Sequence, residues 1–148
     1  MTPDTIALDF DGTLCDTDQI AHLQGDWPAF HDASFNCPPR HSLMMFIKRL
    51  QTVANVVIVT GKPIEYESRV IKWCCDYGFY PDAILMRPKD DWRKTADLKL
   101  QMLREYLDCD DLSKVLVAIE DRDKMVDAYR AAGVTCLQAA PCIENRKA

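Results

Sequence analysis

The sequence predicts a doubly wound α/β domain with a five-stranded parallel sheet, and three observations carry that prediction. Apolar runs rich in β-branched residues recur at 5–9, 55–60, 83–86, 114–119 and 134–138, each of strand length. Several of them, such as VVIV and VLVAI, are continuous rather than alternating, as expected of strands covered by helices on both faces. Segments with apolar residues at helical spacing fill the gaps, so strand and helix alternate along the chain.

Each element follows in order. The first strand, TIALD, leads straight into FDGT. Residues 15–40, CDTDQIAHLQGDWPAFHDASFNCPPR, are polar and end in a proline pair. They read as an irregular insertion with one short helix, where long loops serve as lids or binding elements. Leu43, Phe46, Ile47 and Leu50 mark the first crossover helix, and NVVIVT the second strand. Pro63 fits the first turn of the next helix, whose apolar positions are Ile64, Val70, Ile71, Cys74 and Tyr77, and Gly78 stops it. The third strand precedes a helix carrying Leu100, Leu103 and Leu107. The fourth ends at Glu120 and Asp121 before a helix carrying Met125, Val126, Tyr129 and Ala132, and Gly133 separates that helix from the fifth strand. The expectation is a single Rossmann-like domain over 1–148 with a small cap-like insertion at 15–40.

With 148 residues, 48% of them hydrophobic, the chain can fill one core. No run approaches the roughly 20 apolar residues of a membrane helix, and the N-terminus lacks a basic region followed by an apolar signal core. A soluble, cytoplasmic protein without a membrane partner is expected. The seven cysteines show no CxxC spacing, so they read as reduced, small core residues rather than a disulfide or zinc framework. A net charge of −5 argues against a surface that grips nucleic acid over a long footprint. Arg87, Lys89, Arg93, Lys94 and Lys99 nevertheless cluster in one stretch, a local rim able to attract phosphate.

In a parallel sheet the functional crevice lies beyond the carboxyl ends of the strands. Strand one delivers Asp9 and Asp11, which at i and i+2 face the same side, and Gly12 permits a sharp exit. Strand two delivers Thr60 and Gly61, and strand four Glu120 and Asp121; Lys99 follows strand three. So many carboxylates repel one another unless a hard divalent cation holds them, and Mg²⁺ is the expected ion. With the ion, a hydroxyl and an ammonium, the crevice suits a phosphoryl group attacked by a carboxylate.

In that order, DFDGT, IVTG, a downstream lysine and IEDR resemble the motifs of the haloacid dehalogenase superfamily of aspartate-nucleophile phosphatases, over nearly the whole chain. More narrowly, MRPKDDWRKTADLK, AIEDRDKMVDAYRAAGVTCLQ and GDWPAF…PPR resemble the phosphatase domain of phage and bacterial polynucleotide kinase-phosphatases, which removes 3′ phosphates from nucleic acid ends. The resemblance implies that Asp9 is the nucleophile and Asp11 the general acid, with Thr60 binding the phosphoryl group and Lys99 steadying it. It implies Mg²⁺ on Asp9, Asp121 and the main-chain carbonyl of Asp11, with Glu120 in support. Gly61 and Lys62, beside Thr60, and the basic Arg87, Arg93 and Lys94 are the candidate substrate contacts. Lys62 stands where the phage enzyme has an arginine, and Thr95 where the family often has an acid. No GxxxxGK[ST] phosphate loop occurs, so a phosphatase without a kinase half is expected.

The implied activity is a Mg²⁺-dependent phosphomonoesterase acting on nucleic acid 3′ ends or nucleotides. Two alternatives of the same or another class are a small-molecule or 5′-nucleotide phosphatase and a receiver-like phospho-acceptor switch. In receivers the acceptor aspartate ends the third strand, whereas here that strand runs into Met86 and Arg87. A calcium-binding module is disfavoured because Thr13 and Leu14 follow the acidic pair where an EF-hand loop requires an acid or amide and then glycine.

Overall fold

The computed structural model describes residues 3–142. Five parallel strands, β1 (Thr5–Leu8), β2 (Asn55–Pro63), β3 (Ala83–Arg87), β4 (Val115–Glu120) and β5 (Cys136–Gln138), lie in the order β3-β2-β1-β4-β5. The α/β class, the parallel sheet and all five strands match the expectation. The chain steps outward from β1 through β2 to β3, then returns to the other side of β1 with β4 and β5. The point of reversal, between β1 and β4, is where such sheets form their crevice.

Alternation within the strands divides the core. Ile6, Leu8, Val56 and Ile58 face one side, packing on Met44 and Ile47 of α2 (His41–Leu50) and on Val70, Trp73 and Cys74 of α3 (Glu67–Asp76). Their neighbours Ala7, Val57 and Val59 face the other, against Leu103 and Leu107 of α4 (Thr95–Leu107) and Met125, Val126 and Tyr129 of α5 (Asp123–Ala131). A side-chain period of two explains why runs that look uniformly apolar serve two layers. The seven cysteines are all free, and Cys15, Cys37, Cys74, Cys136 and Cys142 are buried, in keeping with small core residues.

Two local readings change. The insertion holds more regular structure than one short helix, having a 3-10 turn at Asp18–Leu23 and then α1 (Trp27–Ser34), capped by the Asp26 carboxylate accepting from Ala29 N–H. Its two ends are pinned together, since Asp16 N–H donates to Pro38 O and Arg40 N–H to Leu14 O. Pro63 closes β2 rather than sitting inside a helix, and a 3-10 turn, Ile64–Tyr66, intervenes before α3. The β2–β3 register slips between Val59 and Pro63, so the chain bulges at Thr60–Lys62. Bulges of this kind re-aim side chains beside sites.

Candidate active site

The carboxyl end of β1 lies against that of β4, with Asp9 N–H donating to Ile119 O at 3.0 Å. This register sets Asp9 beside Glu120 and Asp121. All three are buried, and a carboxylate oxygen from each lies within 4.8 Å of the others. Gly12 turns the chain away at φ +81°, and a Cβ there would stand 2.5 Å from Asp121 Oδ2. Glycine is needed both for the backbone conformation and for the approach of that carboxylate.

Lys99, on the buried side of α4, answers part of this charge. Its Nζ donates to Asp9 Oδ1 at 2.7 Å and to Glu120 Oε1 at 2.5 Å, so of the two nearby lysines the one expected from sequence reaches the crevice. Burial would raise the Asp9 carboxyl, but the Lys99 charge and hydrogen bonds from Lys99 and Thr13 outweigh it and hold it below its ordinary range. Glu120 is pushed well above its range by burial and by the Asp9 charge, against the pull of Lys99. Lys99 keeps its proton more tightly than a free lysine; its burial works against this, and the charges of Asp9 and Glu120 override it.

Asp11 differs from Asp9. Burial raises its carboxyl above the ordinary range despite the ammonium of Lys62 at 3.0 Å from Oδ2. Two carboxyl groups one residue apart are thus tuned in opposite directions, one toward the anion and one toward the acid. Thr60 Oγ1 accepts from Lys62 N–H at 3.1 Å, leaving the hydroxyl proton to be donated elsewhere.

The candidate substrate contacts fare differently. Lys62 has a side chain with 0% exposure, so it is a buried group and does not reach outward as expected. Arg87 is also a correction: its guanidinium donates to the carbonyls of Gly61, Asp91 and Arg93 and to Thr95 Oγ1. A planar fork with several donors suits that role, which is to brace the β3–α4 loop. Gly61 lies under this brace, and Arg93 pairs with Asp91 at 2.6 Å. Lys94 precedes α4 and is exposed, as are Lys89, Trp92 and Arg93.

Two residues escaped the sequence reading. The Thr13 hydroxyl lies 2.8 Å from Asp9 Oδ2 and 3.1 Å from Asp121 Oδ1, bridging the two carboxylates; its place four residues after Asp9 was the available signal. Arg40 donates through Nε and Nη2 to Gly12 O and pairs with Asp16 and Asp18, fixing the turn behind Asp11. Nothing in the sequence marks it beyond the proline pair it follows.

The donor set fits a hard divalent cation. Three buried carboxylates face one ammonium, all the donors are oxygens, and an excess of negative charge in a buried place calls for a further cation.

The match with known proteins agrees with this geometry. The fold is shared with a chain of the Pnkp1/Rnl/Hen1 complex, at 23% identity and a TM-score of 0.78 over 95% of this chain and 47% of the other, and with a chain of the Pnkp1/Rnl/Hen1 RNA repair complex at 23% and 0.79. This chain therefore spans about half the length of those relatives. It is also shared with CbbY from Rhodobacter sphaeroides in complex with phosphate, at 16% identity and a TM-score of 0.63 over 99% of this chain and 90% of that one. Among curated proteins none matches. The model of the polynucleotide kinase PNKP phosphatase domain matches residues 3–142, and the chain belongs to that family of haloacid dehalogenase phosphatases, which are phosphoric monoester hydrolases.

Proposed function

We propose that this chain is a Mg²⁺-dependent phosphomonoesterase that removes 3′ phosphates from nucleic acid ends or nucleotides through a phosphoaspartate at Asp9. The observation that carries the reading is the gathering of three buried carboxylates, Asp9, Glu120 and Asp121, with the Lys99 ammonium 2.7 Å from Asp9; the opposite tuning of the acidic pair agrees with it. Asp9 is held as an anion by Lys99, and Asp11 is biased toward its protonated form by burial.

The cycle follows from those states. The Asp9 carboxylate attacks phosphorus in line as the bond to the ester oxygen breaks, and Asp11 gives its proton to that oxygen. Water then attacks the phosphoaspartate, Asp11 takes the water's proton back, and phosphate leaves with Asp9 restored. Of the three N–H groups of Lys99, two are taken by Asp9 and Glu120, so one remains for a phosphoryl oxygen, as does the Thr60 hydroxyl. Asp9, Asp121 and the main-chain carbonyl of Asp11 would hold Mg²⁺, with Glu120 supporting the site through Lys99. When bound, the ion supplies positive charge that offsets repulsion between the anionic nucleophile and an anionic ester.

Family membership and the likeness to chains of an RNA repair complex support the nucleic acid substrate. So does the exposed rim of Lys89, Arg93 and Lys94 around Trp92, itself 89% exposed. Positive charge beside an exposed aromatic face suits the binding of a single-stranded end. Trp27 is also exposed, with the guanidinium of Arg122, the residue after Asp121, 5.9 Å from its ring.

The test is phosphate release, in Mg²⁺ and in EDTA, from a 3′-phosphorylated oligonucleotide, a 3′-nucleotide, a 5′-nucleotide and an aryl phosphate. We expect Mg²⁺-dependent release with the 3′ esters preferred. Preference for the 5′-nucleotide or the aryl ester would overturn the substrate, and release undiminished by EDTA would overturn the metal dependence.

A further inference from the structure

Lys62 is an unusual lysine. Its side chain has 0% exposure, and the rings of Phe35, Tyr66 and Phe10 surround its Nζ, with centroids at 4.8, 5.6 and 5.9 Å. An ammonium has three N–H groups and no acceptor. All three have partners at 3.0 Å: Asp11 Oδ2, His31 Nδ1 and Ser34 Oγ. None is left for a substrate oxygen.

The partners are themselves fixed. Because an ammonium cannot accept, His31 Nδ1 must, which leaves the ring neutral with its proton on Nε2. The Ser34 hydroxyl spends its own proton on His31 O at 2.8 Å and so accepts from Lys62. Both residues belong to α1, within the insertion, while Lys62 comes from the bulged end of β2 and Asp11 from the loop after β1. One ammonium therefore ties three separate segments together. Asp11 depends on it, since Oδ1 is buried with no hydrogen-bond partner among the described residues and Oδ2 is held by Lys62. Without Lys62, Asp11 would lose the partner that sets the orientation of its carboxyl group.

We propose that Lys62 is a positioning residue that holds the Asp11 carboxyl group for proton transfer to the leaving oxygen, and that α1 completes the active site by holding Lys62. This rests on the reading of Asp11 as the general acid. Lys62 takes no part in the proton exchange, in which the proton passes from Asp11 to the ester oxygen and returns to Asp11 from water. The insertion is then part of the catalytic apparatus and more than a cover over it.

General acid catalysis matters in proportion to the basicity of the leaving group, so the test is a leaving-group series. Phosphate release in Mg²⁺ is measured for wild type and Lys62→Met on an alkyl phosphate, phenyl phosphate and nitrophenyl phosphate. We expect kcat to fall about 100-fold or more on the alkyl ester and less than about 10-fold on the nitrophenyl ester, with KM little changed. Equal loss on every ester, or a raised KM at unchanged kcat, overturns the positioning role, the second outcome pointing instead to substrate binding. Should Lys62→Met fail to fold by circular dichroism, Ser34→Ala decides. It removes one of three anchors and is expected to show a smaller loss with the same leaving-group dependence, whereas a loss independent of leaving group overturns the proposal. If the wild type releases phosphate from none of the esters, the reading of the site itself falls, and this proposal with it.

Discussion

At position 12 a side chain is excluded twice, by φ of +81° and by an Asp121 oxygen 2.5 Å from where Cβ would stand. We expect Gly12→Ala to cost about 1–3 kcal/mol of stability, the range for a strained backbone position, as read from urea unfolding. Lys99 is the opposite case, a side chain that cannot be removed. Its loss leaves Asp9 and Glu120 buried without their ammonium, which typically costs about 3–5 kcal/mol. Because burial already raises Glu120, Lys99→Met should recover part of this deficit as pH falls and that carboxylate is neutralised, a sign opposite to simple acid denaturation. Urea unfolding of both proteins at pH 7.5 and 5.5 checks it. His31 supplies a third test. Burial, reinforced by the Lys62 charge, lowers its pKa from 6.5 to about 4, so between those values the unfolded chain binds the proton and the folded one does not. Stability should fall as pH drops through that window, and should fall less in His31→Gln when unfolding is compared at pH 7 and pH 5. The acidic residues were legible because DFDGT and IED each sit at the end of an apolar run. The buried role of Lys62 and the contacts of Arg40 were not, since their partners lie 31 and 28 residues away and only the closed insertion brings them together.

At the level of elements, the strands and crossover helices could be read from apolar pattern, as with VVIV in β2 and Val70 with Cys74 in α3. The bulge at the end of β2 could not, because it depends on how β2 and β3 pair beyond Val59. Within that bulge Thr60 Oγ1 accepts from Lys62 N–H, and the Lys62 side chain is turned inward to Asp11. Arg87, at the start of the β3–α4 loop, has a role the sequence did not show. Basic residues clustered there suggested phosphate contacts, yet Arg87 donates to four acceptors along the loop and its neighbours, and charge alone cannot tell a brace from a binding group. Arg87→Met should therefore loosen residues 88–94 and speed tryptic cleavage at Lys89, Arg93 and Lys94, while kcat on a small aryl phosphate changes less than about 3-fold. Cleavage at the wild-type rate would show that the loop holds itself without the arginine.

Across the molecule, the sheet order places β1 and β4 side by side at the reversal point, and from this the whole cluster follows: two strand ends supply three carboxylates, and α4, packed over the opposite face, supplies their lysine. A fold that gathers so much like charge is stabilised by any cation it binds in the native state only. Mg²⁺ at about 100 times its dissociation constant should add roughly 2.7 kcal/mol, visible as a rise in Tm that Asp121→Ala abolishes. Among the described residues no helix is long and apolar enough to cross a membrane. The central claim is that Asp9 is the nucleophile of a metal-dependent phosphatase, and phosphate release from an aryl phosphate by wild type and Asp9→Asn, each in Mg²⁺ and in EDTA, tests it most directly. We expect turnover only by the wild type in Mg²⁺, with Asp9→Asn at least about 10³-fold slower; comparable turnover by the two proteins would contradict it.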